Sequence, residues 1–164
     1  VKKGRDKMRI NQYTVLLDEN KLPFLVKERG LNYTDEVKGV GSLVRLCNTI
    51  FNASKQAEEH VYLVCCTTSG KVCGLFDVSH GTVNNCLMGP REILQRALLC
   101  GAAKISIAHN HPGGSIKPSA EDIRATRRIK EAAEMIGLQL DDHIIIGDND
   151  TYYSFAQENS LKEK

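Results

Sequence analysis

His109-Asn110-His111, with Asp122 eleven residues beyond the second histidine, is the stretch of this chain whose residue types and spacing carry the most chemistry. In an extended strand, side chains at i and i+2 share a face, so His109 and His111 can aim two imidazoles at one point as the strand runs out. The intervening Pro112-Gly113-Gly114-Ser115-Ile116-Lys117-Pro118 permits a tight reversal. Asp122 then falls one turn into the following helix and can return a carboxylate toward the same point. Two imidazoles, a carboxylate and an open position make a catalytic zinc shell. The same letters have a structural reading. Ser119-Ala120-Glu121-Asp122 has the form of a capping box, and an isolated His-x-His at a strand end more often serves hydrogen bonding or surface chemistry. The conjunction favours a metal, and Ser119 can cap the helix in either reading.

Periodicity places the elements that must hold these residues. Residues 1–11 carry Lys2, Lys3, Arg5, Lys7 and Arg9 against Asp6 alone and read as a loose basic arm. Residues 12–17 and 24–26 flank a polar turn and form a hairpin. Thr34 or Asp35 caps a helix running to about residue 53, whose first half Gly39 and Gly41 weaken. Residues 59–66 and 71–79 are two β-rich runs joined by Thr67-Thr68-Ser69-Gly70, an antiparallel pair. Pro90 suits the first turn of a helix carrying Ile93, Leu94, Ala97 and Leu98. Residues 105–108 are a buried strand, a helix runs from 119 to about 136 and ends at Gly137, and strands at 143–146 and 152–155 close the chain. Helices alternate with strands that are hairpin-linked in places, which favours a mixed α/β sheet over a doubly wound one.

The 164 residues, 41% of them hydrophobic, suffice for one domain with its own core. A net charge of +2 exerts no strong pull on DNA or anionic lipid, and no stretch approaches the roughly 20 apolar residues of a bilayer span. Cys47, Cys65, Cys66, Cys73, Cys86 and Cys100 include no CxxC pair and sit in apolar or helical patterns, so they read as reduced thiols used as small hydrophobes. A soluble, cytoplasmic protein without membrane partners is the expectation.

The run HNHPGGSIKPSAED resembles the JAMM metalloprotease signature of the JAB/MPN family: His-x-His, then Asp after ten residues, with Ser three positions before it. Gly81-Thr82, Pro90-Arg91-Glu92-Ile93, Ala108-His109-Asn110-His111-Pro112, Pro118-Ser119, Asp142-His143-Ile144-Ile145-Ile146-Gly147 and Tyr153-Ser154 are similar, in the same order, to the RadC-like branch of that family, over residues 35–157. The resemblance implies a cytidine-deaminase-like α-β-α core with a mixed central sheet over residues 35–164, preceded by an arm and hairpin over residues 1–34. It implies a zinc ion held by His109, His111 and Asp122, with Ser119 stabilising the oxyanion of amide hydrolysis. It also implies a general-base glutamate opening the first strand after the first helix. Glu59 fits that slot, with Glu58 as the neighbouring alternative. The activity so implied is cleavage of a peptide, isopeptide or related amide bond, on a protein or peptide substrate, through a metal-activated water.

Family members more often read HNHPSGDP where this chain has His109-Asn110-His111-Pro112-Gly113-Gly114-Ser115-Ile116, a change that spares the ligands and touches the loop. The helix-hairpin-helix DNA-binding domain that precedes many RadC-like modules is not expected within residues 1–34. Two other readings stay open: a DNA-repair-associated nucleic-acid binder, which the net charge does not support, and a catalytically silent JAB scaffold. The His-Asn-His string is a weak match to HNH nucleases, whose letters are spread over a longer motif. Iron, manganese or nickel also suit a His2Asp set. His143 reads as a packed histidine with satisfied polar tips in preference to a partner orienting a ligand. His60 and His80 read as surface residues without partners. Tyr13, Leu16 and Phe24 serve either an interface or an ordinary core, and the oligomeric state is open.

Overall fold

A seven-stranded sheet in the order β2-β1-β4-β3-β5-β6-β7 carries the chain. The structure is a computed structural model that describes residues 8–33, 37–81 and 88–161. Strands β1 (Met8–Leu17) and β2 (Pro23–Tyr33) form an antiparallel hairpin, and β1 joins β4 in parallel. Strands β3 (Glu59–Cys66) and β4 (Val72–Gly81) pair antiparallel, β3 pairs antiparallel with β5 (Lys104–Asn110), β5 runs parallel to β6 (Gln139–Ile146), and β7 (Tyr152–Ser154) closes the far edge. The sheet is mixed, as the sequence pattern requires.

Helices α1 (Val40–Phe51), α2 (Pro90–Leu99) and α3 (Ala120–Met135) cover both faces. Leu43, Leu46, Cys47, Ile50 and Phe51 of α1 pack with Tyr62, Val64, Ala108, Ile144 and Ile146. The alternate positions Val61, Leu63, Cys65, Ile105 and Ile107 pack with Ile93 and Ala97 of α2 and Ile129 and Ala133 of α3. Side chains alternate across a strand, so these two clusters are the two faces of one sheet, and β3 is apolar on both. Together they give the α-β-α layering.

Several boundaries differ from the sequence reading. Strand β1 already begins at Met8, so residues 8–11 are sheet and not arm, and Ile10 is fully buried; residues 1–7 lie outside the described residues. Thr34 and Asp35, the expected caps, also lie outside them, and α1 starts later, after Gly39, which takes a φ of 76° and has no side chain to cap the helix. Strand β6 starts at Gln139, ahead of the expected 143, because Asp142 is buried and paired: its carboxylate accepts from Ser154 Oγ (2.6 Å), His143 N (2.8 Å) and Ala156 N (3.0 Å). Cys47, Cys65, Cys66, Cys73 and Cys100 are free thiols, and Cys86 lies outside the described residues. Among the described residues, no helix is long and apolar enough to cross a membrane.

The register decides what meets at the end of β5. Val61 faces His109 across the β3–β5 pairing, so Glu59, two residues earlier on the same face, comes level with position 111, just past the end of β5. Helix α3 returns over that face with Ile129 fully buried as its anchor. Replacement of Ile129 by Ala is therefore expected to cost about 2–5 kcal/mol of folding stability, read as a shift in the urea midpoint.

Candidate metal centre

His109 is the penultimate residue of β5, 1% exposed, with its ring on the face covered by α2 and α3. His111 follows on the same face, and the two Nε2 atoms stand 3.0 Å apart. The His111 ring is aimed by its other nitrogen, which donates to Ser115 O at 2.8 Å. That carbonyl is available because the loop turns back on itself, with Gly114 N donating to His111 O (2.9 Å). Gly114 has φ 75°, and a Cβ there would lie 2.4 Å from Asp148 Oδ2. The positive φ favours glycine, and a side chain there would have to displace the Asp148 carboxylate.

Ser119 caps α3, and the capping box is complete: Asp122 N donates to Ser119 Oγ (3.1 Å), while Ser119 N donates back to Asp122 Oδ2 (2.7 Å). The Ser119 hydroxyl also donates to Asp122 Oδ2, at 2.6 Å. The other carboxylate oxygen, Oδ1, lies 3.4 Å from His109 Nε2. The capping and metal-site readings of Asp122 are thus compatible, one oxygen serving each.

Glu59 is buried at the first position of β3. Among the described residues, Glu59, His109, His111 and Asp122 each offer one ligand atom, and these atoms all lie within 4.8 Å of one another. Glu58 points elsewhere, toward His80 Nδ1 at 3.4 Å, with both side chains exposed. Sequence reasoning passed over Asn110, whose side chain emerges on the opposite face of β5. It accepts from His60 N (2.9 Å) and donates to Glu58 O (2.9 Å), clamping the backbone on both sides of Glu59. Alternation along the strand was the available signal, since a residue between two same-face histidines must face the other way.

Burial and charge shape the group. Burial pushes the His109 ring down to about 4, against a smaller upward pull from Asp122. Burial also raises Glu59. At His111 the Asp122 carboxylate outweighs burial and raises the ring. Burial pushes the Asp122 carboxyl up, but the His111 and His109 rings and the Ser119 hydrogen bonds together hold it well below the usual carboxylate range. Two carboxylates and two imidazoles converging on one point favour a positive charge there, and the raised His111 shows the same preference exerted on a proton. Two imidazole nitrogens with carboxylate oxygens form a set that zinc or another borderline divalent metal accepts.

His143 is buried, its ring stacked on Phe155 with centroids 4.7 Å apart. Its polar tips are satisfied, as the packed reading expects, and the partner at Nε2 is His109 Nδ1 itself, at 2.8 Å. The parallel β5–β6 pairing brings the rings together, with Ile107 opposite His143. His60 also has partners: its Nδ1 bonds Asp77 Oδ2 (3.0 Å), its ring stacks on Tyr62, and its side chain is 15% exposed. His80 is on the surface as expected, with Glu58 as its partner.

The depressed His109 gives a pH dependence of definite sign. An unfolded histidine takes its proton near pH 6.5, whereas the buried ring resists until about 4. Its contribution is therefore intact above the unfolded value and is lost as pH falls through this window. In chelator-treated protein, the decline of urea stability with acid should be shallower in His109→Gln by about 1.4 kcal/mol per pH unit. Glu59 and His111, both raised, slope the opposite way in both chains. Equal slopes would show that the folded ring protonates as readily as the unfolded one.

The chain is 38% identical over 104 residues to the UPF0758 protein of Porphyromonas gingivalis, covering 63% of this chain and 46% of that protein. It is 42% identical over 104 residues to a UPF0758 protein of Clostridium acetobutylicum, covering 63% and 45%. With that of Carboxydothermus hydrogenoformans the identity is 36% over 147 residues, covering 90% and 58%. The chain spans about half the length of these curated relatives. Residues 38–161 match the RadC-like JAB domain from α1 through β7, the stretch that holds all four converging side chains, and the chain belongs to that family.

Proposed function

We propose that the protein is a zinc-dependent hydrolase of the JAMM type that cleaves a peptide, isopeptide or related amide bond in a protein or peptide substrate. The observation that carries this reading is the convergence of Glu59, His109, His111 and Asp122 at the end of β5, ligand atoms within 4.8 Å. His109, His111 and Asp122 would hold the metal. Bound there, zinc would supply Lewis acidity, which lowers the pKa of a coordinated water from 15.7 to about 7 and polarises a carbonyl. Free thiols at the described cysteines suit the reducing cytoplasm in which we place it.

Glu59 is the general base. Burial raises its pKa toward the operating pH, which improves it as an acceptor of the water proton and as a donor of that proton to the leaving amine. The Asn110 clamp fixes the backbone from which Glu59 projects, so the carboxylate needs little reorganisation. Ser119 stands at the α3 N-terminus and is the donor for the developing oxyanion. Its hydroxyl proton rests on Asp122 Oδ2, so this role requires the hydroxyl to rotate from the carboxylate to the substrate oxygen.

Elemental analysis of the untagged chain should find one zinc per molecule in wild type and in Glu59→Gln, and none in His109→Ala or Asp122→Ala. Against a panel of peptide and isopeptide amides, Glu59→Gln should lose at least about 10²-fold in kcat and Ser119→Ala about 10²- to 10³-fold. Full zinc retention in both ligand variants would refute the assignment. Zinc binding without hydrolysis of any amide would point to a silent scaffold.

A further inference from the structure

Thr126 is buried one turn along α3 from Asp122, outside the four side chains that converge at the end of β5. Its hydroxyl makes two short contacts, to Asp122 O and to His143 Nδ1, both at 2.5 Å. A hydroxyl has one proton and a backbone carbonyl has none. The proton must therefore lie between Thr126 and the Asp122 carbonyl, since two oxygens at that distance without one would repel. The contact to His143 Nδ1 is then bridged by a proton from the ring. His143 is fully buried, and its ring has no carboxylate partner among the described residues to hold a second proton, so with Nδ1 protonated its Nε2 is an acceptor. The only group facing that acceptor at hydrogen-bond distance among the described residues is His109 Nδ1, 2.8 Å away, which must donate. A neutral His109 that donates from Nδ1 carries its lone pair on Nε2, the atom that faces His111 and Asp122.

We propose that Thr126 and His143 are positioning residues that lock His109 into the Nδ1–H tautomer and so keep a lone pair directed from Nε2 into the metal centre. The inference rests on the metal-site reading for its consequence, but the tautomer itself stands on hydrogen-bond geometry and the burial of His143. The chain is directional: His109 donates to His143, His143 to Thr126, and Thr126 to the backbone of Asp122, itself a member of the centre. Without the threonine oxygen the direction is no longer imposed. His143 is then free to carry its proton on Nε2 and donate to His109, which moves the His109 proton onto Nε2 and blocks the ligand position.

The test is Thr126→Val, which removes the oxygen at nearly constant volume, beside Thr126→Ser, which restores it. Zinc affinity is read by chelator competition on the full chain, and the His109 tautomer by 15N chemical shifts in chelator-treated protein. The valine variant should bind zinc about 10- to 100-fold more weakly and lose the Nδ1–H signature, while the serine variant stays near wild type on both readouts. His143→Gln, whose amide oxygen accepts the same proton, should bind zinc more tightly than His143→Leu, a comparison that stands even if Thr126→Val does not fold. An Nε2–H tautomer in wild type, or Nδ1–H retained by the valine variant with undiminished zinc affinity, would overturn the proposal. Failure of wild type to bind zinc would defeat the metal reading instead, and the nitrogen shifts would still decide the tautomer.

Discussion

Everything at the end of β5 depends on two imidazole nitrogens held 3.0 Å apart with carboxylates on either side. Two lone pairs at that distance repel unless something positive lies between them, and a proton or a metal ion both qualify. Neighbouring groups already raise the affinity of His111 for a proton, while burial denies one to His109. The two histidines therefore differ in their hold on a proton: it is weakened at the inner ring and strengthened at the outer one. A divalent ion would satisfy both nitrogens and the Asp122 carboxylate at once where a proton satisfies one pair, and binding of this kind expels protons and adds directly to folding free energy.

The fold is the apparatus that maintains this crowding. An antiparallel neighbour, β3, brings Glu59 to the end of β5, while a parallel neighbour, β6, brings His143 behind His109. Parallel pairing of β5 with β6 requires a crossover, and α3 is that crossover, so the helix carrying Asp122 and Thr126 passes over the same strand end. One connection thus delivers a carboxylate to the front of the centre and a hydroxyl to its rear. Asn110 works from the other face of the sheet, holding β3 to β5 on both sides of Glu59.

What could be seen in the sequence follows from range. His109, His111 and Asp122 were legible because strand alternation and a proline- and glycine-rich loop act within a dozen residues. Glu59 came from resemblance, and the β3–β5 register supplies the physical reason for it. The contact of His143 with His109 was hidden because it arises from a parallel pairing across a helical crossover, and nothing local to Asp141-Asp142-His143 says which strand lies alongside. The beginning of β6 was missed for a related reason: Asp142 has the composition of a loop, and only the fold shows its carboxylate occupied by Ser154 and two backbone amides. At His60 an irregularity between Val61 and Tyr62 brings Asp77 into contact, which no periodic reading foresees.

Asp122 shows why helix formation and site formation here are a single event. Its Oδ2 accepts both the amide and the hydroxyl of Ser119, which fixes the carboxylate rotamer and leaves Oδ1 directed at His109. Its backbone carbonyl receives the Thr126 hydroxyl, so the first turn of α3 also anchors the rear of the imidazole chain. A frayed α3 would therefore lose the cap, the carboxylate and the oriented histidine together. Conversely, any cation that binds the centre stabilises the first turn of α3 in proportion to its own affinity, by RT ln(1 + [L]/Kd). The capping box is the mechanical link through which a metal bound at the sheet end would stiffen the helix that encloses it.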